Sequence, residues 1–133
     1  MESSKVLIDT PIIIDFLRKG HKDKTILWSL RQQYVCVMSS VTLFELLVSA
    51  KTAQHQEAIN KLCCWIDILP FDERSAEISA EIYISLKNQN NLIEFRDIFI
   101  AATAKQYQLK LATLNTKHFT RIENLQLLLN HTN

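Results

Sequence analysis

Three acidic residues lie in apolar runs where a charged side chain is costly. Asp9 lies in KVLIDTPIIIDFLR, Glu45 in SSVTLFELL and Asp97 in EFRDIFIAATA. A buried carboxylate is unfavourable unless it is paired, hydrogen-bonded or bound to a cation. Three such residues in one chain therefore suggest a metal site, provided that the fold brings them together.

The chemistry of such a cluster follows from its oxygen ligands. Carboxylates without a histidine or cysteine partner suit hard cations, and Mg²⁺ or Mn²⁺ fits best. Two like charges about 4 Å apart repel by about 4 kcal/mol at an effective dielectric of about 20, and a divalent ion turns that repulsion into binding. Such an ion lowers the pKa of its bound water and stabilises charge on a reacting phosphodiester. The pattern therefore indicates metal-dependent phosphodiester hydrolysis.

The composition is that of an ordinary folded protein. With 133 residues, 47% of them hydrophobic, the chain is expected to form a single domain over residues 1–133. A net charge of +1 argues against a protein that coats nucleic acid by bulk charge, but it leaves room for a local basic rim. The polar start and the lack of an apolar run of roughly 18 residues predict no signal peptide and no membrane span. The cysteines, Cys36, Cys63 and Cys64, are expected to be reduced thiols in a cytoplasmic protein.

Short buried strands are predicted at five places. Aliphatic runs bounded by polar or turn residues are typical of strands that are buried on both faces of a parallel sheet. Pro70 ends the third of these runs, which is expected to form an edge strand. The predicted strands are Lys5–Asp9, Tyr34–Met38, Asp67–Leu69, Lys110–Leu114 and Leu125–Leu129.

Helices are predicted between these strands. Thr10 and Pro11 suit a first helical turn, Gly20 is expected to stop that helix, and Asp72 suits an N-cap. The helix around Glu45 starts at a capping serine, Ser39 or Ser40. Its apolar positions are Leu43, Phe44, Leu46 and Leu47. The other predicted helices are Lys24–Gln32, Thr52–Ile66, residues 73–86, Phe95–Tyr107 and a short one within Asn115–Arg121.

The alternation of strands and helices predicts an α/β sandwich with a mostly parallel sheet of four to five strands and helices on both faces. In such sheets, binding sites form beyond the carboxyl ends of the strands, at a topological switch point. Asp9 ends the first predicted strand, and Asn115 directly follows the fourth. Glu45 and Asp97 lie on helices that begin near the same edge. This topology can bring the three acids together.

The chain resembles the PIN domain family in four blocks. VLIDTPIIIDFLR, SSVTLFELL, RDIFIAATAKQYQLKLATLNTKHF and RIENLQLLL follow one another in the order and spacing of that family. The resemblance is strongest to the VapC-type toxins of bacterial toxin–antitoxin pairs. It implies a PIN-like three-layer sandwich and a Mg²⁺-dependent ribonuclease, in which Mn²⁺ can substitute. It also implies a homodimer that a small cognate antitoxin holds inactive.

The resemblance also assigns residues. Asp9, Glu45 and Asp97 match the family's three acidic metal-site positions, and Asn115 matches a fourth position that carries Asp or Asn. Thr10 matches the hydroxyl residue that follows the first acid. Thr113 matches the small polar position before the fourth site residue. Two positions depart from the family pattern: Pro11 stands where a small polar residue is usual, and His118 stands where many relatives carry an acid.

Each site residue also has a simpler interpretation. Asp9 could serve only as a helix N-cap, and Asp97 could favour only the positive end of its helix dipole. Glu45 could pair with Lys51 or another surface cation, and Asn115 could be a plain turn residue. Asp15, Asp67 and Asp72 are interpreted as solvated, paired or capping residues rather than ligands. Lys110, Lys117, Arg96 and Arg121 could form a basic rim for RNA, or simply a solvated surface.

Two other functions remain open from the sequence. A catalytically degenerate PIN-fold module could bind RNA or protein without cleaving it, because only three carboxylates are present. A phosphoacceptor domain would need an acidic pair at the first strand end and an acceptor aspartate at the end of a middle strand. Here Asp9 stands alone and the second strand ends in serines, which disfavours this reading.

Overall fold

The computed structural model of the protein describes residues 4–128. Its sheet consists of four strands in the order β3-β2-β1-β4, and every neighbouring pair is parallel. Leu7 of β1 is in register with Val37 of β2 on one side and with Leu111 of β4 on the other. The predicted α/β fold with a parallel sheet is confirmed. The strands are β1 (Lys5–Ile8), β2 (Val35–Ser39), β3 (Asp67–Leu69) and β4 (Lys110–Ala112).

The predicted fifth strand is wrong within the described residues. Leu127 forms one isolated parallel bridge with Leu111, held by hydrogen bonds of 2.9 Å from Leu111 N to Gln126 O and from Leu128 N to Leu111 O. Leu129, the last residue of the prediction, lies outside the described residues. The segment therefore covers the edge of β4 at one point without extending the sheet.

Seven α-helices connect the strands within residues 4–128, together with a 3₁₀ turn at Lys22–Lys24. Helix α2 begins later than predicted because Thr25 caps it, accepting a hydrogen bond from Trp28 N at 3.3 Å. Helix α4 ends at Leu62, four residues earlier than the predicted Ile66. The helices are α1 (Thr10–Arg18), α2 (Ile26–Gln33), α3 (Ser40–Ser49), α4 (Ala53–Leu62), α5 (Glu73–Asn88), α6 (Phe95–Gln106) and α7 (Thr116–Phe119).

Helix α1 does not end as predicted. Its C-cap is Lys19 in an extended conformation, and the φ of Gly20 is not positive. The ammonium group of Lys22 closes the helix instead, donating to the carbonyl oxygens of Phe16 at 2.7 Å and Lys19 at 3.2 Å. A cation at a helix C-terminus satisfies unpaired carbonyls and favours the negative end of the dipole.

Two hydrophobic layers pack on opposite faces of the sheet. Alternate residues of a strand point to opposite faces, so Ile8 and Met38 enter one core while Leu7 and Val37 enter the other. The first core is completed by helices α1 to α4, and the second by α5, α6 and α7. This is the three-layer arrangement that the resemblance implies.

Helix α3 is less buried than its sequence predicts. Leu46 is fully buried, but Phe44 and Leu47 are exposed, with Phe44 66% accessible. The helix lies where α1, α4 and α6 meet, so only a narrow stripe of it faces the core. Of its exposed apolar residues, Phe44 borders the cluster described below.

The three cysteines are free thiols. Burial raises the pKa of the Cys36 thiol to about 11, so this side chain stays protonated and packs as a small apolar group. None of the helices formed by residues 4–128 has the length and apolar character needed to cross a membrane.

Candidate carboxylate site

Asp9 lies at the carboxyl end of β1, where it is also the N-cap of α1. Its Oδ1 accepts a hydrogen bond from Thr10 N at 2.8 Å, which satisfies one of the free N–H groups at the helix start. The side chain is only 1% accessible. The capping role weighed from the sequence is therefore real, but a cap alone does not require such deep burial.

A threonine from the neighbouring strand holds the other oxygen of Asp9. Thr113 directly follows β4, which pairs with β1, and its hydroxyl donates to Asp9 Oδ2 at 2.7 Å. The same hydroxyl accepts a hydrogen bond from Asn115 N at 3.0 Å. The small polar residue that the sequence places before Asn115 thus fixes the Asp9 carboxylate across two adjacent strand ends.

Arg96 is the hub of the site. Its Nη2 lies 3.1 Å from Asp9 Oδ1 and 3.0 Å from Glu45 Oε1, and its Nε lies 2.7 Å from Glu45 Oε2. Its Nη1 donates to Asp97 Oδ1. The three acids singled out in the sequence therefore converge, and they converge on one guanidinium group.

Sequence reasoning missed this role of Arg96. We considered it only as part of a basic rim or of a solvated surface, whereas its side chain is just 27% accessible and has three carboxylate partners. The available signal was its place directly before Asp97 in the first turn of α6. The position of Arg96 next to Asp97 in the sequence does not determine whether its side chain points toward the carboxylates or toward solvent.

Glu45 is held from two sides. The Thr10 hydroxyl donates to Glu45 Oε1 at 2.6 Å and lies 2.9 Å from the hydroxyl of Thr42, one helical turn before Glu45 on α3. Glu45 is 27% accessible, so it is less buried than the sequence suggested. The alternative pairing with Lys51 is replaced by the ion pair with Arg96.

Asp97 and Asn115 meet through a histidine. Asp97 is 2% accessible, and its Oδ2 lies 3.0 Å from His118 Nδ1. That nitrogen also lies 2.8 Å from Asn115 Nδ2. Because Nδ1 carries either one proton or one lone pair, it makes a full hydrogen bond with only one of these groups. In this structure, Asn115 therefore reaches the cluster through His118 and Thr113 rather than through a carboxylate.

The electrostatics of the site depend on Arg96. Burial by itself would lower the pKa of Arg96, but hydrogen bonds to Glu45 and the charges of Asp9 and Glu45 raise it above its usual range. The guanidinium therefore stays charged and offsets the mutual repulsion of the carboxylates. One guanidinium group thus faces three carboxyl groups in the cluster.

The carboxylate oxygens of this site suit a hard cation, but in this structure their charged partner is the guanidinium group of Arg96. Within residues 4–128, no group of three or more His, Cys, Asp or Glu side chains is arranged to hold a metal ion. In this structure the three carboxylates contact the guanidinium group of Arg96 instead. The donor chemistry itself, carboxylate oxygens from Asp9, Glu45 and Asp97, is what Mg²⁺ and Mn²⁺ prefer.

An aromatic surface borders the site. A groove of about 400 Å³ between α3 and α6 is lined by Phe44, Phe71 and Phe99 and ends on Glu45 and Arg96. The rings of Phe71 and Phe99 pack edge to face with centroids 4.9 Å apart, and Phe95 beyond them is 61% accessible. The carboxylate site thus opens beside exposed apolar rings.

Comparison with known families gives a match over most of the chain. Residues 6–125 match the family described as "PIN domain". The chain is 32% identical over 130 residues to a protein of Rickettsia bellii named "Ribonuclease VapC", which covers 92% of this chain and 94% of that one. It is 30% identical over 126 residues to the "tRNA(fMet)-specific endonuclease VapC" of Shigella flexneri, with coverage of 92% and 95%.

Solved structures give a match of the same kind. The fold is similar to VapBC2 from Rickettsia felis bound to a DNA fragment from its promoter, with a TM-score of 0.80, 25% identity and coverage of 93% of this chain and 97% of that one. It is also similar to VapBC-1 from nontypeable Haemophilus influenzae, with a TM-score of 0.79, 29% identity and coverage of 93% and 96%.

Proposed function

This chain belongs to the PIN domain family, and from that premise we propose that it is the ribonuclease toxin of a toxin–antitoxin pair. It hydrolyses RNA phosphodiester bonds as a metal-dependent endoribonuclease. The observation that carries the proposal is the convergence of Asp9, Glu45 and Asp97 on one cation at the carboxyl end of a parallel sheet. Relatives of similar length, one named a ribonuclease and one a tRNA(fMet)-specific endonuclease, support it.

The proposed cofactor is Mg²⁺, for which Mn²⁺ can substitute. Asp9, Glu45 and Asp97 would hold it, and when bound it would activate a water molecule and stabilise the charge of the reacting phosphate. The protein's own part is to position these ligands. Thr113 fixes Asp9, Thr10 fixes Glu45, and His118 lies between Asp97 and Asn115, the fourth proposed site residue.

The proposed partners are RNA, a small cognate antitoxin and a second copy of the chain. The similar solved structures include a toxin–antitoxin complex from Klebsiella pneumoniae, which supports the antitoxin. A groove of about 290 Å³ between α1 and α4, lined in part by Ile14, Leu17 and Ile59, suits an inserted amphipathic helix. Exposed Phe44 and Phe95 suit a homodimer interface. We expect one PIN-like domain acting in the cytoplasm, where RNA and antitoxin would be available.

The decisive experiment replaces single carboxylates in the purified, antitoxin-free protein. We expect Asp9→Asn and Asp97→Asn to fold normally by circular dichroism, to lose RNA cleavage and to relieve growth inhibition on expression. Asp15→Asn is the matched control because Asp15 pairs with Lys19 at 3.7 Å on the exposed face of α1, and it should keep full cleavage. Full cleavage by both site variants, with contaminating nucleases and metal excluded, would contradict the proposal.

A second candidate function is a PIN-fold module that binds RNA or protein without cleaving it. The observations that favour it are the Arg96 guanidinium among the carboxylates and the asparagine at the fourth position. Incubation of the purified protein with Mn²⁺ and a broad set of structured RNAs discriminates the two. Cleavage that the Asp97→Asn variant lacks supports the nuclease, whereas binding without cleavage across the whole set supports the module.

A further inference from the structure

We propose that Arg96 is a built-in counter-ion of the carboxylate site, and that a divalent cation binds only when the guanidinium leaves. This inference rests on the metal site of the proposed function and adds a competition between two cations for one set of oxygens. It assigns Arg96 a role in setting how much metal the protein needs.

The three carboxylates of the site already have partners within the protein. All six carboxylate oxygens of Asp9, Glu45 and Asp97 have a protein partner. Four of them, Asp9 Oδ1, both oxygens of Glu45 and Asp97 Oδ1, contact Arg96. The other two lie against Thr113 and His118. A metal ion that takes one oxygen from each acid therefore competes with Arg96 for at least one oxygen, because Arg96 contacts both oxygens of Glu45.

The planar guanidinium group of Arg96 contacts all three carboxylates at once. Its three nitrogens are all engaged, and they join three carboxylates that come from separate elements of the fold: the end of β1, the middle of α3 and the start of α6. A planar fork of this kind matches carboxylates better than a point charge does. Arg96 thus fills the place where the carboxylates converge, which is also where their shared cation would lie.

The surroundings of Arg96 give the side chain a way out. It is 27% accessible and borders the groove lined by Phe44, Phe71 and Phe99. A guanidinium that leaves the carboxylates can stack on these aromatic faces, which is a favourable position for a cation. The exchange therefore needs only a rotation of the Arg96 side chain, while the backbone of α6 stays in place.

The thermodynamic consequence is a weakened apparent affinity for metal. Where only a fraction of the molecules has a binding-competent site, the apparent dissociation constant rises by the inverse of that fraction. Minor states of folded proteins are commonly populated at about 0.1–10%, so Arg96 should weaken metal binding by about tenfold or more. Metal binding and the Arg96 ion pairs are then mutually exclusive.

The first test measures Mn²⁺ binding to the full-length, metal-stripped protein by calorimetry and by the electron paramagnetic resonance signal of free Mn²⁺. We expect Arg96→Gln to bind Mn²⁺ about tenfold more tightly than the wild type. Arg96→Lys keeps the charge and loses the fork, so it should also bind more tightly than the wild type, by a smaller factor. Arg74→Gln is the matched control because Arg74 is likewise the second residue of its helix but pairs with Glu77 in solvent, and its affinity should not change.

The outcomes separate this inference from the proposed function. Equal or weaker Mn²⁺ binding by Arg96→Gln overturns the counter-ion role, even if the wild type binds metal. If Arg96→Gln binds Mn²⁺ more tightly but Arg96→Lys binds it as the wild type does, then the effect comes from the charge alone. That result overturns displacement of the guanidinium group by the metal ion. Absence of Mn²⁺ binding in the wild type and in both variants overturns the proposed metal site itself.

A second test uses the wild type alone and so does not depend on the folding of a variant. In protein labelled with ¹⁵N-arginine, the Nε–H signal of Arg96 reports its hydrogen bond to Glu45. Titration with Mg²⁺ should shift or broaden this signal with the same midpoint as the backbone amide signal of Arg96 itself, while the Arg74 signal stays in place. An Arg96 signal that does not move at Mg²⁺ saturation overturns the inference.

Discussion

Asp9 and Asp72 both cap a helix with a carboxylate, yet their surroundings differ. Asp72 is exposed and accepts hydrogen bonds from Ser75 N at 3.1 Å and from Gln106 Nε2 at 2.9 Å, in a capping box of neutral groups. Asp9 is buried and has a threonine hydroxyl and a guanidinium as additional partners. A carboxylate thus caps a helix at both places, with a charged partner at Asp9 and without one at Asp72.

This difference separates what a helix cap requires from what a buried carboxylate cluster requires. An exposed carboxylate keeps part of its hydration, so neutral donors are enough for Asp72. A buried carboxylate beside two others needs a cation, because desolvation and like-charge repulsion both act against its ionised form. The helix cap explains the backbone position of Asp9, and only the cluster explains its burial.

The largest expected effect on stability comes from truncating the buried cap. Asp9→Ala removes the partner of Thr113 and one partner of Arg96, so we expect the free energy of unfolding to fall by about 3 kcal/mol or more. Urea denaturation of the metal-free protein measures it. Asp72→Ala in parallel should lose clearly less, and equal losses would remove the distinction between the two caps.

The next effect comes from removing the counter-ion. Arg96→Gln leaves three carboxylates close together, so the metal-free protein should lose about 2–3 kcal/mol, at the lower end for a broken buried ion pair because Arg96 is partly solvated. Thermal unfolding with a chelator measures the loss, and added Mn²⁺ should restore much of it. An unchanged melting temperature in chelator would mean that the cluster does not need its cation.

A smaller effect is expected from the hydroxyl groups that support each cap. Thr113→Val removes the donor to Asp9 Oδ2 and the acceptor of Asn115 N, which should cost about 1–2 kcal/mol. Ser75→Ala removes the corresponding hydroxyl of the Asp72 cap; Ser75 is itself buried, but its partners Asp72 and Gln106 can turn to solvent, so the loss should be smaller. Chemical denaturation compares them, with Thr113→Ser as the control that keeps the hydroxyl.

The smallest effect is the pH dependence of the exposed cap. The backbone hydrogen bond from Ser75 and then the side-chain hydrogen bond from Gln106 lower the pKa of Asp72 from its usual 3.8. A depressed folded-state pKa stabilises the fold above the unfolded-state pKa, and the contribution disappears as the pH falls through the folded-state value. The stability difference between wild type and Asp72→Asn should therefore be constant near neutral pH and vanish in acid. A difference that persists unchanged below the lowered pKa would contradict this account.

Much of the fold follows from local sequence patterns. Thr10 after Asp9, Asp72 before α5 and the aliphatic runs of β1, β2 and β4 each place an element within a few residues of its observed position. The edge of the sheet at which Asp9 and Thr113 meet follows from the parallel topology. Such features depend on nearby residues and on general rules of sheet geometry.

The rest depends on contacts between distant parts of the chain. Arg96 pairs with Glu45 and Asp9, which lie 51 and 87 residues away, and no local pattern tells which way its side chain turns. The exposure of Phe44 depends on how α3 fits against α1, α4 and α6. The last predicted strand is reduced to a single bridge because one edge of β4 already meets β1 and the other meets the chain only at Leu127. Sequence periodicity does not encode any of these relations.

The hydrogen bond from Thr113 to Asp9 has a consequence for the order of biosynthesis. It joins residues 104 positions apart, and it lies at the junction of the central strand β1 with β4, which is made late. A ribosome-bound chain that has not yet released β4 lacks this junction, so its first carboxylate has no fixed orientation. The proposed RNA-cleaving centre would therefore be completed only after β4 has left the ribosome that makes it.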